Sequence, residues 1–365
     1  MSEEIRYADA GVDYELLDEA KRRALASARK SAMNPISRGA SVLEASYGEA
    51  ATIVEVGDAH YALVLECLGT KSVIAAEVEV ELGMDRFADA SYDTVAAAVN
   101  DCVSVGALPL VVNAYFAAGS GFYTGNRHTS LVEGFALACR HAGAAWGGGE
   151  SPTLAGLVTD GSVDLAAAVM GKVPEGRSPM LGAPLEPGDE IVLLSSSGLH
   201  QNGASLARRV AEDSDAGWGA KLSSGRLFGD AVLDPGVIYA GLVDKVFEAD
   251  LAPHYASHVT GHGWRKLMRA ERELTYRITA LPDVPEVLAY LADAARLSSE
   301  EAYATLNMGA GFALFVGEGE GEQFVAIAAS LGIAALRAGR IELGPRRVVI
   351  EPLRIEYAAE TLEIR

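Results

Sequence analysis

Between Val173 and Asp189 the chain changes character: Pro174, Gly176, Pro179, Gly182, Pro184, Pro187 and Gly188 crowd into one stretch that suits neither a long helix nor a central strand. A chain of 365 residues cut near its middle by such a connection folds most simply as two bodies, each large enough for its own core. The boundary is expected near 180, with one domain over 1–180 and a second over 181–365. Half of the residues are hydrophobic and 22% are charged, which excludes disorder as a description of the whole.

On both sides of that connection, strand and helix patterns alternate. The first half shows a helix over 16–32 ended by Asn34-Pro35, a hairpin of 51–56 and 61–65 around Gly57-Asp58, and a helix over 92–105 with Val95, Ala98, Val99, Cys102 and Val105 on one face. Strand 110–115, helix 130–142 and strand 163–170 follow. The second half offers strand 190–194, helices 204–211, 285–293 and 324–331, and strands 311–316, 338–343 and 347–350. The expected class is α/β (α+β), in two comparable halves.

Fifty acidic against thirty basic side chains give a net charge of −20, so the surface as a whole repels nucleic acid and anionic membranes. A phosphorylated small molecule would need a concentrated local site. The acidic start, Met1 to Arg6, lacks the basic and apolar segments of a signal peptide, and a cytoplasmic location is expected. Cys67, Cys102 and Cys139 stand far apart and are expected to be reduced thiols.

G-x-x-x-x-G-K-[ST] is absent, which excludes a standard P-loop. Gly317 to Glu322 has dinucleotide-like glycine spacing, but its three carboxylates would repel a pyrophosphate, and it reads as a surface loop. His254, His258 and His262 recur at intervals of four, yet Pro253, Gly261 and Gly263 argue against the continuous helix that a zinc site there would need. More informative is Glu66-Cys67-Leu68-Gly69-Thr70-Lys71, which directly follows a strand. It joins a carboxylate for Mg²⁺, a close-approach glycine, a hydroxyl and an ammonium, or else forms a strand-end turn with an exposed lysine. Asn100-Asp101 inside an apolar helix and Glu150 after three glycines place charge where packing alone seldom would; a helix-interior Asp can also simply bond a neighbouring loop. Ser195 to Gly203, with His200 and Asn202, joins a strand to a helix and outlines an anion site, or a well-capped loop.

In order, these segments resemble the aminoimidazole ribonucleotide synthetase family, also called phosphoribosylformylglycinamidine cyclo-ligases. The resemblance rests on Tyr7-x-Asp9-Ala10-Gly11-Val12-Asp13, Gly69-Thr70-Lys71 as the end of a D-G-x-G-T-K loop, Val99-Asn100-Asp101, Gly106-Ala107-x-Pro109-Leu110 and Gly148-Gly149-Glu150. In the second half it takes in Ser196-Ser197-Gly198-Leu199-His200-x-Asn202-Gly203, Ile238-Tyr239, Thr260-Gly261-x-Gly263 and Asn307-Met308-Gly309-Ala310-Gly311. Three positions depart from the family pattern: Glu66-Cys67 replaces Asp-Gly, Ser37 to Val42 replaces a glycine-rich segment, and His262 stands where T-G-G-G has glycine.

The resemblance implies ATP-dependent closure of formylglycinamidine ribonucleotide to 5-aminoimidazole ribonucleotide, using Mg²⁺ and admitting K⁺. It implies a homodimer whose N-terminal domains share a β-barrel, each flanked by a C-terminal α/β domain. Carried over by motif, Gly69, Thr70, Lys71, Asn100, Gly148 and Gly149 would hold the nucleotide, Glu66, Asp101 and Glu150 the metal, and Lys71, His200 and Asn202 would serve catalysis. The alternatives are another ATP-dependent kinase or ligase of the same superfamily, acting on a different amide or acid, or a catalytically silent nucleotide-binding subunit.

Overall fold

Period-two burial builds the first sheet. Along Ala59–Cys67 the side chains of Ala62 and Val64 are buried while Leu63 and Leu65 face outward, the alternation of a strand with only one face covered. A computed structural model describes residues 14–362; the Tyr7–Asp13 segment lies outside them. The strands of the N-terminal half are β1 (Ala40–Val42), β2 (Thr52–Val56), β3 (Ala59–Cys67), β4 (Leu108–Ala118), β5 (Ala145–Glu150) and β6 (Val163–Lys172). They form one six-stranded sheet in the order β1-β2-β3-β6-β4-β5, antiparallel except for β4 and β5. Helices α1 (Tyr14–Arg29), α2 (Gly69–Leu82), α3 (Phe87–Ser104) and α4 (Arg127–His141) complete this half. Both α2 and α3 pack on the sheet face that carries Ala62 and Val64.

The C-terminal half carries β7 (Glu190–Ser195), β8 (Tyr255–His258), β9 (Leu274–Ile278), β10 (Ala310–Val316), β11 (Ala335–Leu343), β12 (Arg347–Ile350) and β13 (Ile355–Ala358). Their order is β13-β12-β9-β11-β7-β10-β8. Around this sheet lie α5 (Ala204–Glu212), α6 (Phe228–Val232), α7 (Ala240–Glu248), α8 (Glu286–Ala294), α9 (Ser299–Thr305) and α10 (Gly321–Ser330). No helix among the described residues is long and apolar enough to cross a membrane.

Two helices join the halves: α2 packs on α5 and α6, with Glu77 paired to Arg208, and α3 packs on β3, β4 and β6 on one side and on β8 and α7 on the other. Three buried polar residues of α3, Asp93, Asn100 and Asp101, bond to the second half. Asp93 accepts from the Gly236 N–H at 2.6 Å. Asn100 donates to the Val237 carbonyl at 2.8 Å and accepts from the Tyr239 N–H at 2.9 Å. A helix wedged between two cores cannot leave such groups unbonded without a cost of about 1–3 kcal/mol each, so polar residues inside an apolar helix mark its contact with the second half.

Several sequence expectations change: the first helix ends at Arg29, α4 begins at Arg127 and β11 at Ala335. Where a strand-end turn was expected after Cys67, helix α2 starts at once, with Lys71, Ile74, Ala75 and Val78 buried at helical spacing. Lys71 is therefore not exposed: it has no accessible surface. The helix expected over 92–105 begins earlier, at Phe87.

Candidate active site

A cleft of about 620 Å³ opens where α1, the end of β3, α3, the turn after Leu199 and the segment following β8 meet. Glu66 enters from β3 and Asp101 from α3. Gln201 and Asn202 come from the turn, and His258, Thr260, Lys266 and Arg269 from β8 and the 3₁₀ turn Gly263–Met268 and its end. Ala24, Leu25 and Ala28 of α1 cover one side with Lys21.

Charge is concentrated here. Burial, then the neighbouring charge of Asp101, pushes the Glu66 carboxyl up to about 8. Burial opposes the charge on Asp101 too, but the hydrogen bond and charge of His258 outweigh it, and Asp101 is held below the ordinary carboxylate range. His258 donates from Nδ1 to Asp101 Oδ1 at 2.7 Å, which leaves its Nε2 buried and without a protein partner. Both side-chain polar atoms of Gln201 are likewise buried and unbonded. Native proteins rarely leave such groups unsatisfied, so the cleft is shaped for a polar occupant.

Beside the cleft, a second buried polar set forms between the halves. Lys71, from the first turn of α2, pairs with Asp93. His200 Nε2 accepts from the Ser197 N–H at 2.9 Å and from the Val237 N–H at 3.4 Å, which puts its proton on Nδ1, a buried atom with no partner. Burial, with the charge of Lys71 next, drives the His200 imidazole down to about 3, so it is neutral. Gly311 makes room for it: a Cβ there would lie 2.1 Å from the Tyr239 hydroxyl and 2.8 Å from the His200 ring. Asn307 fixes the same turn, accepting from the Ser196 hydroxyl at 2.7 Å and donating to the Gly198 carbonyl at 2.9 Å.

The sequence-derived residues divide accordingly. Glu66, Asp101 and Asn202 line the cleft, and Lys71 and His200 stand beside it. Asn202 donates to the Thr305 carbonyl from the cleft wall. Both polar atoms of Asn100 are engaged by backbone of the C-terminal half, which gives it a fastening place rather than one facing a nucleotide. Gly69 and Thr70 open instead onto a wider recess of about 1190 Å³ with Glu77, Glu81, Asp160, Asp164 and Glu212 on its walls together with Arg127 and Arg208, which pair with Glu79 and Glu77. At Gly69 a Cβ would sit 2.3 Å from Oδ1 of the exposed Asp164, so any side chain there would have to push that carboxylate aside.

Gly148, Gly149 and Glu150 lie on the edge strand β5. Glu66 pairs through Ala167 and Ala114 to Gly149, three strands away, roughly 14 Å at ordinary strand spacing. Glu150 shares the opposite sheet face with Tyr115, Ala166 and Cys67. The metal set of Glu66, Asp101 and Glu150 is thus not assembled within one chain, and no group of three His, Cys, Asp or Glu side chains among the described residues is arranged to hold a metal ion. The three histidines at intervals of four are separated as the glycines required: His254 pairs with Asp189, His258 with Asp101 and His262 with Asp18.

Sequence reasoning missed Lys266, Arg269, Lys21 and Asp93. A signal existed for the first two, cations three residues apart just after the Thr260-Gly261-His262-Gly263 turn in an acidic chain.

The two mixed sheets, their helices and the cleft between the halves define an α/β architecture with known members. Residues 48–173 match the N-terminal domain, and residues 186–351 the C-terminal domain, of the AIR synthase related proteins. The chain belongs to this family. A curated phosphoribosylformylglycinamidine cyclo-ligase of Methanococcus vannielii is 31% identical over 343 residues, covering 93% of this chain and 92% of the relative. Among solved structures, the hydrogenase maturation protein HypE in complex with ATP superposes with a TM-score of 0.59 at 18% identity, over 81% of this chain and 83% of that one. A thiamine-monophosphate kinase from Stenotrophomonas maltophilia gives 0.58 at 19% identity, over 86% and 92%. These two likenesses show the shared fold.

Proposed function

We propose that the chain is a cyclo-ligase that uses ATP to close formylglycinamidine ribonucleotide into 5-aminoimidazole ribonucleotide, releasing ADP and phosphate. The observation that carries this reading is the cleft itself, where unbonded buried groups of Gln201 and His258 face carboxylates on one side and cations on the other. The matching relatives named as cyclo-ligases supply the reaction. A formamide oxygen is a poor leaving group; its phosphorylation lets an internal nitrogen displace it as phosphate, and holding both reactants in one cleft makes that attack intramolecular.

Mg²⁺ bound with nucleotide phosphates needs only one or two protein carboxylates, and Glu66 beside Asp101 fits that need. The ion would screen the charge that accumulates on the phosphates. Asn202 and Gln201 orient the amide from the cleft wall. The neutral His200 lies outside the cleft lining with its Nδ1 edge against Gly311, so it acts by positioning the turn that carries Gln201 and Asn202. Lys71, already neutralised by Asp93, acts through His200 and the seating of α2 rather than on substrate.

We also propose a homodimer formed through the N-terminal half. Leu63, Leu65, Met170 and Leu110 lie exposed on the sheet face opposite α2 and α3, and Glu150 shares that face. An apolar sheet face of this kind is suited to a second copy.

The test is purified protein with formylglycinamidine ribonucleotide, ATP and Mg²⁺, followed for ADP and for aminoimidazole. Equal amounts of both are expected. ADP without imidazole would assign a different acceptor, and absence of nucleotide binding would leave a silent subunit.

A further inference from the structure

The cations of the cleft have no role in the chemistry above. Lys266 and Arg269 stand one turn apart on the 3₁₀ segment after β8, and Lys21 reaches the same space from α1. The Arg269 guanidinium is tethered to the opposite wall, donating to the Gly48 carbonyl at 3.0 Å with Glu49 at 3.6 Å. Lys266 is different. Its ammonium donates to the Thr260 hydroxyl and, among the described residues, is paired with no carboxylate. Burial and the charge of Arg269 pull it down to about 8, while Asp101 and Glu66 counteract that pull. An ammonium has three donors and is costly to bury with one of them used. Glu49, Glu66 and Asp101 line the same cleft, but Glu49 is held by Arg269 and Asp101 by His258, which leaves the Lys266 charge open to an anion from outside the chain.

Resting on the proposed function, we propose that Lys266, backed by Arg269 and Lys21, binds a phosphate oxyanion, that of the substrate's 5′-phosphate. The nucleotide triphosphate is the competing source of the same chemistry. A triphosphate arrives with Mg²⁺ and needs carboxylates beside it, whereas a phosphomonoester brings two negative charges without a metal and needs protein cations. Lys266 therefore sets the preference for a ribonucleotide over the corresponding riboside.

The experiment compares the wild-type chain and Lys266→Met with three compounds: the ribonucleotide, its dephosphorylated riboside, and ATP. The variant removes a costly buried charge and keeps the stem, so the fold is retained. The ribonucleotide KM is expected to rise at least about tenfold, or about 1.4 kcal/mol, with kcat and the riboside KM little changed and a smaller rise in the ATP KM, because Lys266 also favours the ionised Glu66. Thr260→Val, which removes only the hydroxyl holding Lys266, is expected to move the same constant in the same direction by about threefold, an effect of a lost hydrogen bond. An unchanged preference for ribonucleotide over riboside, or a loss larger on ATP than on the ribonucleotide, overturns the proposal. Calorimetric titration with inorganic phosphate separates it from the reading on which it rests. Phosphate binding by the wild type that is lost in Lys266→Met sustains the anion site even if no aminoimidazole is ever formed; binding equal in both proteins removes it.

Discussion

Replacing Lys71 tests whether it is structural or chemical, and the structure gives the size of the effect. The ammonium and the Asp93 carboxylate are both inaccessible to solvent. Removing one partner of a buried pair costs about 3–5 kcal/mol because the other charge is stranded. Asp93 keeps one donor, the Gly236 N–H at 2.6 Å, so Lys71→Met should lose about 3 kcal/mol, the lower end of that range. Against a total stability of roughly 5–15 kcal/mol, that is a large fraction. Asp93→Asn keeps an acceptor for Gly236 and strands the ammonium instead. In the double variant no charge remains, and most of the loss should return, a coupling of about 2 kcal/mol or more. Urea unfolding followed by tryptophan fluorescence reads all four proteins, since Trp146 lies in the N-terminal half and Trp218 and Trp264 in the C-terminal half. A loss below about 1 kcal/mol for Lys71→Met, or strict additivity in the cycle, would refute the reasoning. Lost turnover in Lys71→Ala alone would thus not establish a catalytic lysine, contrary to what an exposed strand-end lysine would have allowed.

Other consequences are separately measurable. Glu66 is raised from 4.5 to about 8, so between those values the free protein holds a proton there; if Mg·ATP takes the ionised form, its affinity should climb with pH by up to about tenfold per unit and level near 8. Glu66→Gln should flatten that slope, and a flat wild-type profile would exclude Glu66 as the metal-facing group. Leu65→Glu places a charge on the bare sheet face, 71% exposed in the single chain, and light scattering should show dimers becoming monomers with circular dichroism unchanged; an intact dimer moves the interface elsewhere. His262 donates to Asp18 at 2.9 Å and ties α1 to the cleft, so His262→Gly should speed amide exchange in α1 while costing the whole protein only about 1 kcal/mol. Equal exchange in both proteins would show that α1 is held by other contacts.

What the sequence disclosed follows the kind of force involved. Strands and helices that bury one face declare themselves by period, and those of the hairpin, β4, β6, β7 and α5 lie where their patterns put them. Helix α2 escaped because the glycine, hydroxyl and lysine at its start read as a turn, although Lys71, Ile74, Ala75 and Val78 already had helical spacing. A lysine counted as polar breaks that face; a lysine neutralised by Asp93 completes it. The partner, 22 residues away on α3, carries no local mark of the pairing.

The same distinction governs the site. Asn100 and Asp101 stood out because charge and amide inside an apolar helix need an explanation, yet sequence position alone does not separate their roles. Asn100 meets backbone 137 and 139 residues away, and Asp101 meets His258, 157 residues away, within the cleft. Adjacent helix positions differ by about 100° around the axis, enough to turn one side chain toward the second half and the next toward an open cavity. Lys266 and Arg269 carried weaker marks still, since surface cations are common and only the closed walls around them make their charge unusual. An alternation pattern reports which face is buried; whether a buried polar group meets protein or a ligand depends on the third element brought against it, here the 3₁₀ turn after β8. Site chemistry in this chain is therefore encoded in the docking of the halves through α3.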